Sequence, residues 1–287
     1  DGNALPTNPT HPRKLVKYPL TPVLILSGFL PLAGQATAAL IATENFNYAD
    51  GSVVGQSGGT GWNYERTDEP GAPTQTASNW NNAFGAHQIT SSALVTNNGG
   101  VLREFGGATE GTGGSSNERE GAFRADGVMF FSTSFTVGSM LPAGQNQWAG
   151  VSSFDFGSER IFFGMPGQTG DTRFFGIAAT GFGADTFSSI PVVAGQTYTI
   201  AGMLDFDNDL LGLWVNPDGS DTASSFDVSK AYNGTNWSSA LRFASGTSVT
   251  WDNVRVGTTF ADVVVPEPST GLLGLFPAAL LIIRRRR

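Results

Sequence analysis

Asp205, Asp207 and Asp209 stand at alternate positions, the D-x-D-x-D spacing with which a loop offers carboxylate oxygens to calcium. A complete loop of that kind also needs glycine at its sixth position and glutamate at its twelfth. Here those positions hold Leu210 and Asn216. A hairpin turn whose acids face water accounts for the same spacing, and calcium bound elsewhere in the loops stays open. Gly55-Gln56-Ser57-Gly58-Gly59 has the G-x-S-x-G pattern of an activated serine, which requires a strand before it and a helix after it. Thr60-Gly61-Trp62 follows instead, with no helical pattern, so a structural glycine loop is the expectation. Glu118 and Glu120 are spaced to share one face of a strand, and retaining glycosidases need two carboxyls roughly 5 Å apart. They follow a Gly/Ser-rich loop and flank Arg119, which reads as surface charge. Cysteine is absent and His87 is the only histidine between Ala39 and Val265, so nitrogen and sulfur ligands for a transition metal cannot be assembled there. We expect no catalytic residues.

Aromatic rings offer a different chemistry. An indole face stacks on a pyranose ring when Asn, Asp or backbone donors lie beside it. Trp80, Trp148, Trp214 and Trp237 are the candidates. Trp80 and Trp237 sit in polar, Asn-rich stretches. Trp214 is out of phase with Leu213 and Val215, so it either stacks on a ligand or packs beneath a loop. Trp80, Trp214 and Trp237 are the expected ligand-binding residues, and Asp205, Asp207 and Asp209 the expected metal ligands if calcium binds.

These side chains must be positioned by strands. Met129, Phe131, Thr133, Phe135 and Val137 alternate with Phe130, Ser132, Ser134 and Thr136, a period of two. Trp148 to Phe156, Ile161 to Met165, Arg173 to Ala179, Tyr198 to Phe206, Leu211 to Val215 and Ser248 to Gly257 read as further strands. Leu40 to Tyr48 opens the series. Asn97-Asn98-Gly99-Gly100 reads as a turn between two short strands, and Thr258 to Val264 as a helical turn. About ten to twelve strands punctuated by turns predict a two-sheet antiparallel sandwich.

The chain of 287 residues carries a net charge of −8. Between Ala39 and Val265 lie 22 of the 24 acidic residues but only 9 of the 16 basic ones, a net charge of −13. Such a body has no electrostatic reason to bind nucleic acid or anionic lipid. No disulfide staples it, so its stability must come from its core.

The remaining basic residues lie toward the termini. Arg13, Lys14 and Lys17 precede an apolar run, Pro19 to Leu32, and an A-x-A site, Ala36-Thr37-Ala38. This is a signal-peptide pattern, predicting cleavage before Ala39. Pro266-Glu267-Pro268 precedes the apolar run Gly271 to Ile283, and Arg284, Arg285, Arg286 and Arg287 follow. That run would span roughly 20 Å as a helix, short of a ~30 Å bilayer core. Arginines after it would hold that end in the cytoplasm. Val265-Pro266-Glu267-Pro268-Ser269-Thr270, the apolar run and the arginines resemble the PEP-CTERM sorting tail of Gram-negative bacteria. The resemblance implies transient retention in the inner membrane, cutting by an exosortase-type enzyme, and release to the cell surface or matrix.

A second resemblance covers most of Leu40–Asp262. Phe46 to Trp62, then Leu213-Trp214-Val215-Asn216-Pro217, then Trp251 to Phe260 are similar to landmarks of concanavalin A-like (LamG-type) domains. That family implies a jelly roll of two curved sheets that serves lectins, adhesive modules and some glycosidases, so the fold does not fix an activity. The E-x-D-x-x-E run of glucanases with this fold is missing. The expectation is therefore a signal peptide over 1–38, an all-β concanavalin A-like sandwich over 39–264, and a sorting tail with a short transmembrane helix over 265–287. Its expected role is non-catalytic association with extracellular polysaccharide. A polysaccharide-active glycoside hydrolase or lyase on the same fold is the alternative.

Overall fold

The computed structural model describes residues 40–62, 78–105, 127–155, 158–234 and 238–264. The signal-peptide pattern, the tail with Pro266 to Arg287, Glu118 and Glu120, and Trp237 lie outside them. Among the described residues no helix is long and apolar enough to cross a membrane.

Thirteen strands and one helical turn make up the described chain. The strands are β1 (Leu40–Glu44), β2 (Asn81–Thr90), β3 (Ala93–Glu104), β4 (Val128–Val137), β5 (Gln147–Asp155), β6 (Ser158–Gln168) and β7 (Phe174–Ala179). They continue as β8 (Thr186–Pro191), β9 (Thr197–Asp205), β10 (Leu210–Val215), β11 (Val228–Ala231), β12 (Ala240–Ser245) and β13 (Val249–Gly257), with α1 at Phe260–Val263. All pairings are antiparallel, and one continuous path runs β11-β10-β9-β4-β13-β3-β12-β5-β6-β7-β8.

The path folds at β3. Its first half, Leu94 to Thr96, pairs with β13, and its second half, Gly99 to Glu104, pairs with β12. Asn97-Asn98-Gly99-Gly100 is therefore a bend inside one long strand, not the expected turn between two. Asn98 takes the left-handed backbone, φ 45°, that lets the strand change direction. A second bend lies in β13. Asn253 has φ 53°, the register with β4 shifts there, and the strand's end then pairs with β1. The strands thus form one continuous sheet where two separate sheets were expected. Its halves, β13-β4-β9-β10-β11 and β12-β5-β6-β7-β8, curl into two facing leaves, and β10 and β11 at one end come back against β7 and β8 at the other, so the sheet is nearly closed.

The core lies between the leaves, filled by the residues that the period-two pattern turns inward. Phe131 of β4 meets Phe163 of β6 edge-on, with ring centroids 5.2 Å apart. Phe135 of β4 meets Phe175 of β7 at 5.5 Å, and Phe175 meets Tyr198 of β9 at 4.9 Å. Trp251 lies under the fold line, against Phe135 and Phe243, and its indole N–H donates to Thr96 Oγ1 at 2.9 Å.

A buried polar knot ties the segment after β1 to β3. The Arg103 guanidinium and Glu44 carboxylate, both buried, approach to 2.8 Å. Glu44 also accepts from the Phe46 amide, the Tyr48 hydroxyl and Trp80 Nε1. Arg103 lies over the ring of Trp62 and donates to the carbonyls of Gly58 and Ser78. Gly61 explains why this segment is glycine-rich. Its φ is 78°, and a Cβ there would stand 1.7 Å from the Ile41 carbonyl oxygen. Ser57 is exposed on this loop, no helix follows it among the described residues up to Trp62, and the glycines serve backbone packing on β1, as expected for a structural loop.

The knot predicts an alkaline limit on stability. Burial first, then the bond to the Glu44 carboxylate, pushes the Tyr48 hydroxyl up to about 12 from its usual 10. The protonated form is favoured in the folded state. Its contribution is whole below pH 10 and is lost as pH rises through about 12. A urea midpoint followed from pH 9 to 12 should fall in that window, and Tyr48→Phe should flatten the fall.

Candidate functional site

The two leaves differ on their outer faces. On the β4-β9-β10 leaf, Trp214 is buried, its rings against Phe226 at 4.8 Å and Phe260 at 4.7 Å. Its indole N–H donates to the Thr222 carbonyl. α1 and the loop before β11 thus cover this face with Phe260, Val263, Val264 and Phe226. Of the two readings of Trp214, packing beneath a loop is the one observed, and no ring face is left for a ligand. Trp80 is likewise a core residue. It is fully buried, wedged among Phe46, Trp62 and Phe243, with its N–H on Glu44. Its polar sequence neighbours mark the knot, not a surface.

The acidic triplet does not converge on an ion. Asp205 accepts from the backbone and side-chain amides of Asn208, while Asp207 and Asp209 are exposed. Asp209 has φ 53° and its carbonyl accepts from Tyr232. This is a β9–β10 turn with acids facing water. Among the described residues no three His, Cys, Asp or Glu side chains are grouped to hold a metal.

On the other leaf no described helix covers the outer face, and its floor is built of small residues. Gly100 of β3, Ala244 of β12, Gly150 of β5, Gly164 of β6 and Gly176 of β7 lie side by side across five strands. Long rings occupy the space these residues leave. Phe162 leans over Gly150, where a Cβ would come within 2.5 Å of the ring, and Phe187 leans over Gly176. Trp148 is held against Gly246 and lies 6.1 Å from Phe84 and 6.3 Å from Phe162, centroid to centroid. Trp148 is only partly buried, and its indole N–H has no acceptor among the described residues.

The next row supplies charge. Arg242, Ser152, Phe162 and Ala178 are neighbours across β12, β5, β6 and β7. Arg242 forms an ion pair with Glu159 and donates to the Ser152 hydroxyl, and that hydroxyl donates to Glu159. The guanidinium lies between the rings of Phe84 and Phe154, 5.6 and 5.0 Å from their centroids. These groups enclose a cavity of about 320 Å³ lined by Trp148, Phe162, Arg242, Glu159, Asp185 and Asn146, with Pro166, Gly167 and Ala178 completing it. A part-exposed ring face with a free N–H, beside carboxylates, an amide and a guanidinium, can stack an apolar ring face and exchange hydrogen bonds with its rim. Trp148 is visible in the sequence as one of four candidates among six tryptophans. Arg242 and Glu159 are 83 residues apart and match no motif, so nothing in the sequence joins them.

No family model matches the chain, and no curated protein matches it. Among solved structures, it is similar to the binding domain of Paraclostridial Mosquitocidal Protein 1, with 10% identity over 67% of this chain and 47% of that one, at a TM-score of 0.41. It is similar to the receptor binding domain of a botulinum neurotoxin C/D mosaic serotype, with 8% identity over 77% and 48%, at 0.46. It is also similar to a carbohydrate-binding module from Bacillus subtilis, with 9% identity over 62% and 94%, at 0.38. The chain spans about half the length of the two toxin domains.

Proposed function

We propose that the domain is a non-catalytic glycan-binding module of concanavalin A-like, jelly-roll type, and that the chain is exported and sorted by its PEP-CTERM-like tail to the cell surface or extracellular matrix. The observation that carries the binding reading is Trp148, a part-exposed indole at the edge of a cavity whose rim is polar and charged. Sugars present one apolar face and a girdle of hydroxyls, and this combination matches both. The export reading rests on the leader pattern ending at Ala38 and on Pro266-Glu267-Pro268, the apolar run and the four arginines. An exosortase-type enzyme, the inner membrane and extracellular polysaccharide are the partners that reading implies.

The enzymatic alternative has one observation in its favour, the two carboxylates, Glu159 and Asp185, on the same cavity. Both oxygens of Glu159, however, are engaged, one by Ser152 and the other by Arg242. Affinity electrophoresis of the purified domain through a panel of soluble polysaccharides tests the choice. Trp148→Ala should weaken retention by roughly tenfold, the loss of a stacking contact worth about 1–1.5 kcal/mol, with an unchanged circular dichroism spectrum. Sugar release that stops in Glu159→Gln would replace this reading with the hydrolase or lyase.

A further inference from the structure

We infer that the Trp148 cavity takes uncharged or amino-bearing sugars and discriminates against uronic acids, with Asp185 as the discriminating residue. The inference rests on the glycan-binding reading and adds the class of sugar. Three charged side chains line the cavity: Arg242, Glu159 and Asp185. The single positive charge is matched inside the rim, because Arg242 is paired with Glu159, bonded to Ser152 and flanked by Phe84 and Phe154, and its Nε, which has no partner among the described residues, is buried away from the cavity's solvent. Asp185 is exposed and has no hydrogen bond or ion pair among the described residues. The nearby cation, Lys230, is buried, gives its ammonium to the Ala184 carbonyl, and does not line the cavity. A ring seated against Trp148 therefore meets one unneutralised carboxylate. A uronate brings a like charge to it, and the chain's net charge of −8 adds to the repulsion. A neutral hexose offers hydroxyl donors that the carboxylate accepts, and a protonated amino sugar adds attraction.

Titration calorimetry at low salt with three oligomers of equal length reads this directly: glucose, glucosamine and galacturonate. Glucose and glucosamine oligomers should bind the native domain at least threefold more tightly than the galacturonate oligomer. Asp185→Asn should narrow the ratio between glucosamine and galacturonate by roughly two- to fivefold, the size of an exposed charge interaction. Asp207→Asn, the same charge change in the exposed β9–β10 turn, should leave that ratio in place. Raising the salt should narrow it as well. Galacturonate binding as tight as glucose binding, or a ratio that Asp185→Asn does not move, overturns the inference while the glycan-binding reading stands. Failure of all three sugars to bind, or binding indifferent to Trp148→Ala, removes the glycan-binding reading itself and this inference with it.

Discussion

Replacing Arg103 with methionine is expected to lower the unfolding free energy by about 3–5 kcal/mol. The side chain is fully buried and its partner Glu44 is nearly so, at 0% and 2% exposure. Methionine fills much of the volume but leaves the Glu44 carboxylate inside without its cation. The guanidinium's place over the Trp62 ring, 4.6 Å from the centroid, and its bonds to the Gly58 and Ser78 carbonyls are lost as well. Removing the charge from both partners, as Glu44→Gln with Arg103→Met, should cost less than the two single changes together, by at least about 1 kcal/mol. Glutamine keeps one acceptor oxygen, which can serve the Tyr48 hydroxyl and Trp80 Nε1 on one side or the Phe46 amide on the other, so the double variant still loses part of the Glu44 hydrogen bonding. Urea unfolding followed by tryptophan fluorescence measures all four corners of the cycle. Additive losses would show that the pair is not coupled and that the knot is held by its rings alone.

The sequence made the inner faces visible and the corner invisible. β4, β9 and β13 were legible because core residues recur at alternate positions along at least part of each, and β10 because Leu210 to Val215 is a short apolar run, buried on both faces. β2 has no such face. It lies along β3 with most of its residues exposed, and Asn81 to Thr90 shows little alternation to read. β8 and β11 are short, and both end the strand path. β12, Ala240 to Ser245, is short too and holds Arg242 among small and apolar neighbours. The Asn97 to Gly100 stretch has the composition of a hairpin turn. It is a bend because the two halves of β3 pair with different strands on one edge, which no local pattern encodes.

The site was legible only as a residue type. A tryptophan among asparagines suggests exposure, yet Trp80 is buried because Glu44, 36 residues earlier, accepts its N–H. Trp214 is covered because α1 folds back onto β10's outer face. The row of Gly100, Ala244, Gly150, Gly164 and Gly176 is scattered over some 145 residues of sequence and becomes a floor only once the strands are in register.

Trp148 and Trp251 together separate the site from its support. Trp251→Ala should lower the unfolding free energy by about 3–5 kcal/mol, the range for truncating a large buried aromatic side chain. Its ring is fully buried where β13 passes between β3 and β4, against Phe135 at 5.2 Å and Phe243 at 5.7 Å. These neighbours come from β4 and β12, one in each leaf, so a cavity there loosens both at the fold line. Thr96 and Ser245 still bond each other at 2.6 Å after the indole is gone, so the loss is one of packing more than of an orphaned hydroxyl. Trp148→Ala, on a part-exposed outer face, should cost about 1 kcal/mol and remove the ring that the cavity presents. Urea midpoints and sugar retention measured on both variants should therefore move independently: a large stability loss for Trp251, and a large retention loss for Trp148. If Trp148→Ala unfolds the domain as readily as Trp251→Ala does, the indole is part of the core and the cavity beside it is not a binding site.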